Sequence, residues 1–265
     1  MLEIAVNVQD PAAWTPGVEY AAGLAAWANA SFTGFHVPPA PPLLASLPED
    51  VRAAPVDAAC AERRVFREHA KERGIARAAW QVVQGYLPDV LAHACNWLDL
   101  FVLERNPQLA WGSAAQIGQL VLASGGACVV APGEWTRHVR VERVLIGWNG
   151  SPEAIRAVRA ALPLLHRARH VVVLAGAARN PYMANWDPPF DLSAYLGRHA
   201  IDHDVMACRE PDAHAGRTLL EQAERLDADL LVMGAYGRSR FSEWMFGGAT
   251  REVLHNAAFP VLMKG

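Results

Sequence analysis

Short unbroken apolar runs alternate along this chain with longer stretches in which apolar residues return at helical spacing. The runs suit strands buried on both faces, and the longer stretches suit helices that cover a sheet. The second half shows the alternation most clearly. Val144-Leu145-Ile146 reads as a buried strand; Ser151 then offers an N-cap, Pro152 fits the first helical position and Glu153 the first turn. In the helix that follows, Ile155, Val158, Leu162 and Leu165 fall on one stripe that faces a sheet. Strands are predicted again near 171–175, 204–208, 229–233 and 261–263, with helices near 190–199 and 214–226. Right-handed crossovers between such elements require a parallel sheet covered on both faces, a doubly wound α/β domain of five strands.

The same order is written twice. In the first half Asp99-Leu100-Phe101-Val102-Leu103 is a strand, Gly112-Ser113 opens an apolar helix through Leu122, and Ala127-Cys128-Val129-Val130 is a strand. In the second, Asp229-Leu230-Leu231-Val232-Met233 is the strand, Gly247-Gly248 opens the helix through Ala257, and Pro260-Val261-Leu262-Met263 closes the unit. First strands at 3–8 and 143–148 correspond, as do second strands at 32–37 and 171–175. A period of about 135 residues is too long for a solenoid repeat and means two copies of one domain, 1–136 and 137–265. The boundary falls within 132–139, where Pro, Gly and polar residues interrupt the apolar pattern. The stretch 177–189, with Trp186, Pro188 and Pro189, forms a long loop after the second strand of the second half. Loops of that length in compact domains are often functional.

Composition narrows the chemistry. Apolar residues make up 52% and charged residues 19% of 265 residues, enough for large cores, and a net charge of -3 gives no electrostatic footprint for nucleic acid. The cations are 22 Arg and 2 Lys, and neither Lys71 nor Lys264 follows a glycine, which rules out a Walker-type loop. Any phosphate site must then use backbone N–H groups and Arg. Cys60, Cys95, Cys128 and Cys208 form no Cys-x-x-Cys pair and read as reduced thiols. The opening Met1-Leu2-Glu3-Ile4-Ala5-Val6 is strand-like and lacks a basic segment before an apolar one, so a cytoplasmic protein is expected. Residues 106–133 carry no charge and are long enough to span a bilayer, but Pro107, three glutamines and Ser124-Gly125-Gly126 break them into a buried helix and a buried strand; no membrane partner is expected.

The candidate chemistry lies where the strand ending at Met233 runs into Gly234-Ala235-Tyr236-Gly237, followed nine residues later by Gly247-Gly248-Ala249-Thr250. A strand ending in glycine, a loop with little bulk at its hinges and a helix opening at Gly248 would aim unpaired N–H groups and the positive helix end at one spot. Arg238, directly after the second glycine, is placed to clamp a phosphate. The spacing Gly-x2-Gly-x9-Gly followed by a small or hydroxyl residue resembles the nucleotide loop of the universal stress protein family, with Gly248 standing where the family has Ser or Thr.

The resemblance covers essentially the whole chain as a tandem universal stress protein. It implies strand order 3-2-1-4-5 in each half and an ATP site, with Mg2+ only as the nucleotide's companion. Ligands of doubly wound sheets bind at the carboxyl ends of the strands where the strand order reverses, so the turn after Ile146 and the loop after Met233 converge. Asn149, within Gly147-Trp148-Asn149-Gly150-Ser151, stands where the family has an adenine- or ribose-contacting Asp, and the adenine-flanking position falls near Ala175 and Gly176. Trp148 and Trp186 flank this pocket and can stack on a base. Asn149 has a second option, capping the following turn. The implied nucleotide set is Trp148, Asn149, Gly176, Gly234, Gly237, Arg238, Gly247, Gly248, Ala249 and Thr250.

The first half departs from the pattern. Eight residues, Glu104 to Trp111, separate its strand end from its helix-opening glycine, where the second half has thirteen. A loop shorter by five residues, without the early glycines and with Glu104 at the phosphate entrance, would exclude a triphosphate. This half reads as a degenerate copy.

Other constellations carry less. His199 and His203 are four apart beside Asp202 and Asp204, but a break after Ala200 would end the helix between them, so no metal site is expected. Gly237-Arg238-Ser239-Arg240-Phe241 lacks the final glycine of a nucleophile elbow. The glycine loop offers only Glu243 as a carboxylate, and no catalytic residue is named. The sequence therefore points to a noncatalytic adenine-nucleotide-binding stress protein, with a ligand-free scaffold or a weak ATP hydrolase as alternatives. As in single-domain relatives that dimerise through the last strand, the halves are expected to form an intramolecular pseudo-dimer through 127–130 and 260–263, and whole chains to have the option of a homodimer.

Overall fold

The computed structural model describes residues 1–10, 13–38, 59–176, 191–208, 214–235 and 248–265. They divide into two units, Met1–Val139 and Arg140–Gly265. In unit 1 the strands are β1 (Glu3–Asn7), β2 (Ser31–His36), β3 (Ala78–Val82), β4 (Leu100–Arg105) and β5 (Ala127–Pro132). All are parallel, in the order β3-β2-β1-β4-β5. In unit 2 they are β6 (Arg143–Trp148), β7 (His170–Ala175), β8 (Asp204–Ala207), β9 (Leu230–Gly234) and β10 (Val261–Lys264), parallel in the order β8-β7-β6-β9-β10. Numbered within each unit, both sheets run 3-2-1-4-5, as the repeat and the resemblance imply.

The helices are α1 (Pro16–Ala28), α2 (Arg63–Glu72), α3 (Leu87–Ala94) and α4 (Ala114–Ser124) in unit 1. Unit 2 has α5 (Pro152–Leu165), α6 (Leu192–Arg198), α7 (Ala215–Arg225) and α8 (Gly248–Asn256). Local chemistry sets their ends. Ser151 Oγ accepts from Ala154 N at 3.2 Å, with Pro152 just inside α5. Ser113 and Gln116 form a reciprocal capping box at the start of α4, and Gly125, at φ 58, closes it. The uncharged stretch thus becomes α4 and β5, and among the described residues no helix is long and apolar enough to cross a membrane.

The central strands are buried throughout: every residue of β5 and the first four of β9 lie inside. That is why they read as unbroken apolar runs. An aspartate before each fourth strand fixes the amino edge of the sheet. Asp229, buried, accepts from Glu142 N at 3.1 Å and Arg143 N at 2.9 Å, joining the start of β9 to the start of β6. Asp99 makes the matching bond to Glu3 N at 2.8 Å in unit 1. Replacing Asp229 by Ala would strand two backbone donors at a buried edge. Such groups cost about 1–3 kcal/mol, so Asp229→Ala is expected to lower the melting temperature by roughly 3–10 °C in a calorimetric scan; an unchanged melt would show that the bonds contribute nothing.

Candidate functional site

Pairing of β6 with β9 brings the candidate elements of unit 2 to one edge. Ile146 lies beside Val232 and Gly147 beside Met233. The turn 147–151 and Gly234 therefore leave the sheet side by side, at the point where successive strands begin to be added in the opposite direction. α8 opens at Gly248, as the glycine spacing predicts. Gly237, Arg238, Gly247, Trp186, Arg240 and Glu243 lie outside the described residues.

The turn is held by its own side chains. Asn149 Oδ1 accepts from Ser151 N at 3.1 Å, so of the two options for Asn149 the structure takes the local cap. Its Nδ2 remains the end able to meet a base or sugar as a donor. Gly150, at φ 70, makes the turn in a conformation that favours glycine. Gly176 N donates to the Trp148 carbonyl at 2.8 Å, placing the end of β7 beside the turn, and among the described residues a Cβ on Gly176 would touch only that carbonyl, at 3.5 Å.

Strand alternation aims Gly147 at α7, where a Cβ would meet Leu219 Cδ2 at 2.8 Å, and sends Trp148 to the opposite face. There it lines a mostly apolar cavity of about 210 Å3 between α5 and α6, with Ile155, Val158, Leu192 and Tyr195.

Gly234 has a steric reason of its own. A Cβ there would lie 2.5 Å from Ala154 N and 2.9 Å from Glu153 Cβ, because the first turn of α5 rests on the end of β9. Glu153 turns to Arg156, Oε1 to Nη2 3.0 Å, and Arg156 Nε donates to the Gly265 carbonyl at 3.1 Å. Glu153 Oε2 is buried with no hydrogen-bond partner among the described residues. Gly248 is the opposite case: among the described residues a Cβ meets nothing within 4 Å. Thr250, two residues on, is buried. The start of α8 is positioned by a residue the sequence reading passed over, Gly216 of α7, where a Cβ would lie 2.6 Å from Glu252 Cβ and 3.0 Å from Ala249 Cα. A glycine inside an otherwise helical stretch was its signal.

Unit 1 places the same elements together with the residue types exchanged. Thr15-Pro16-Gly17-Val18 opens α1 as Ser151-Pro152-Glu153-Ala154 opens α5, and Glu104, the fifth residue of β4, corresponds to Gly234, the fifth of β9. The glutamate is not at an open entrance, as the sequence suggests. It is buried, accepting from Thr15 Oγ1, from Gly17 N at 3.0 Å and from Asn106 Nδ2 at 3.2 Å. The short loop folds back so tightly that a Cβ on Gly112 would lie 1.9 Å from the Asn106 carbonyl. Beside it, burial lowers the pKa of Arg105 from its usual value, opposed by the charge of Glu134.

The histidine pair separates as expected: α6 ends at Arg198, Ala200 adopts φ 53, and His203 lies beyond, its Nε2 3.0 Å from Ser193 Oγ. Steric contact at Gly234 yields a direct expectation. Gly234→Ala should cost about 1–3 kcal/mol through overpacking against α5, measured as a lower denaturation midpoint with unchanged slope; a neutral substitution would mean the contact relaxes freely.

Comparisons with known proteins agree with this geometry. Residues 140–263 match the model of the universal stress protein family. Universal stress protein Slr1230 of Synechocystis is 23% identical over 191 residues, which cover 67% of this chain and 62% of that protein, so the chain spans less than two thirds of this relative's length. A universal stress protein structure from Archaeoglobus fulgidus superposes with a TM-score of 0.63 at 13% identity, covering 98% of this chain and 95% of its own. A protein of unknown function from Pseudomonas aeruginosa PAO1 superposes with a TM-score of 0.57 at 12% identity, covering 99% and 92%. At these identities the two structures establish a shared fold, and the stretch that matches the universal stress protein family model, residues 140–263, lies within unit 2.

Proposed function

We propose that unit 2 binds one adenine nucleotide without turning it over, at the carboxyl edge shared by β6 and β9. The observation that carries this reading is the parallel pairing of those two strands, which sets the turn 147–151 beside Gly234. Gly234 begins the glycine-rich connection and Gly248 begins the helix that ends it. Phosphate would sit on the N–H groups at the start of α8, where the dipole favours an anion and a Cβ on Gly248 meets nothing among the described residues. Arg238 would supply charge and Mg2+ would arrive with the nucleotide. Asn149 would donate from Nδ2 to a base or ribose acceptor, its Oδ1 being held by Ser151 N. Gly176 would let the base approach the end of β7.

A ligand-free scaffold is favoured by two observations. Gly234 is explained by the packing of α5 and Asn149 by its own turn, so neither needs a ligand to account for it. Calorimetry with Mg-ATP separates the two readings. Nucleotide binding predicts a stoichiometry near one per chain, lost in Gly247→Val. Gly248→Ser should tighten binding roughly tenfold or more through a charge-assisted hydrogen bond, and the added Cβ meets nothing among the described residues. An absence of heat with ATP, ADP and AMP would favour the scaffold, and a stoichiometry of two would overturn the assignment to unit 2 alone.

A further inference from the structure

We infer that Glu104 serves unit 1 as a built-in anion, taking at the start of α1 the donors that an outside anion would otherwise meet and so holding this crevice shut without a ligand. The inference goes beyond the nucleotide reading and holds whether or not unit 2 binds one. Its basis is a charged side chain that is 6% exposed and hydrogen-bonded at both oxygens. One oxygen, Oε2, takes the Thr15 hydroxyl, which belongs to the N-cap of α1, and the Gly17 N–H of its first turn. The other, Oε1, takes Asn106 Nδ2 from the short loop after β4. A single carboxylate thereby ties strand end, helix start and loop together, and the helix dipole favours its charge.

Sterics show that the place is made for this side chain. A Cβ on Gly17 would lie 2.5 Å from Glu104 Cβ and 2.7 Å from Oε2. Gly17 is therefore the glycine that Glu104 requires. Unit 2 has the mirror arrangement of types, glycine at the strand end and glutamate on the helix, and there the carboxylate turns to Arg156. Oε2 of Glu153 is left with no hydrogen-bond partner among the described residues. Glutamate at both positions would collide, and glycine at both would leave the donors of α1 unmet. Each unit carries one of the two workable pairs, and the pair in unit 1 fills its own anion position.

Two measurements on the full chain test this. Glu104→Ala should melt roughly 4–10 °C lower, and millimolar formate or acetate should recover part of the loss in that variant, with no effect on the parent and none from equal chloride. An unchanged melting point in Glu104→Ala, or an equal response of parent and variant to formate, would overturn the inference. Should Glu104→Ala fail to fold, Glu104→Gln keeps the shape and removes the charge. It is expected to accelerate hydrogen exchange at the Gly17 amide by tenfold or more, and unaltered exchange would count against the inference. The exchanged pair supplies an independent check: Glu104→Gly with Gly17→Glu should melt higher than either single variant, whereas additive losses would show that the two positions do not share one site.

Discussion

At the end of the fourth strand in each unit, strand and helix approach so closely that only one of two facing residues can carry a side chain. The pair is Glu104 and Gly17 in unit 1, Gly234 and Glu153 in unit 2. This steric exclusion governs what the carboxyl edge of each sheet can become. With the side chain on the strand, a carboxylate reaches the start of α1 and takes the Thr15 hydroxyl and the Gly17 N–H. With glycine on the strand, the first turn of α5 rests directly on backbone, and the connection to α8 begins without bulk.

The surrounding fold holds that contact in place from the opposite edge. Asp99 and Asp229 tie the beginning of the fourth strand to the beginning of the first, so strands β4 and β9 are fixed at one end by carboxylates and at the other by close packing on a helix. Between these ends the strands are buried on both faces and interchangeable in their apolar chemistry. A difference between the units thus lies at the carboxyl edge, where a few residues decide whether strand or helix carries the glutamate.

The strand and helix order was legible because buried parallel strands leave no polar alternation to confuse them with helices. The break that separates His199 from His203 was legible for a similar local reason, α6 ending at Arg198 and Ala200 adopting φ 53. The partners of Glu104 were not: Thr15 and Gly17 lie 89 and 87 residues away, so the sequence showed a misplaced charge where the structure has a satisfied one. Gly234 belonged to a readable phosphate motif, yet its steric partner Ala154 is remote in sequence, and one glycine answers to both demands. Trp148, at the end of β6, lines the cavity between α5 and α6, which no motif in the sequence marks. Gly216, which lets α7 meet the start of α8, has no motif at all.

Hydrogen exchange of the full chain with and without Mg-ATP tests most directly whether one crevice is open and the other filled by its own side chain. The account predicts slowed exchange at 149–154 and 248–252 and no change at 15–18 or 104–113. Protection appearing at 15–18 would contradict it, because those donors are already taken by Glu104.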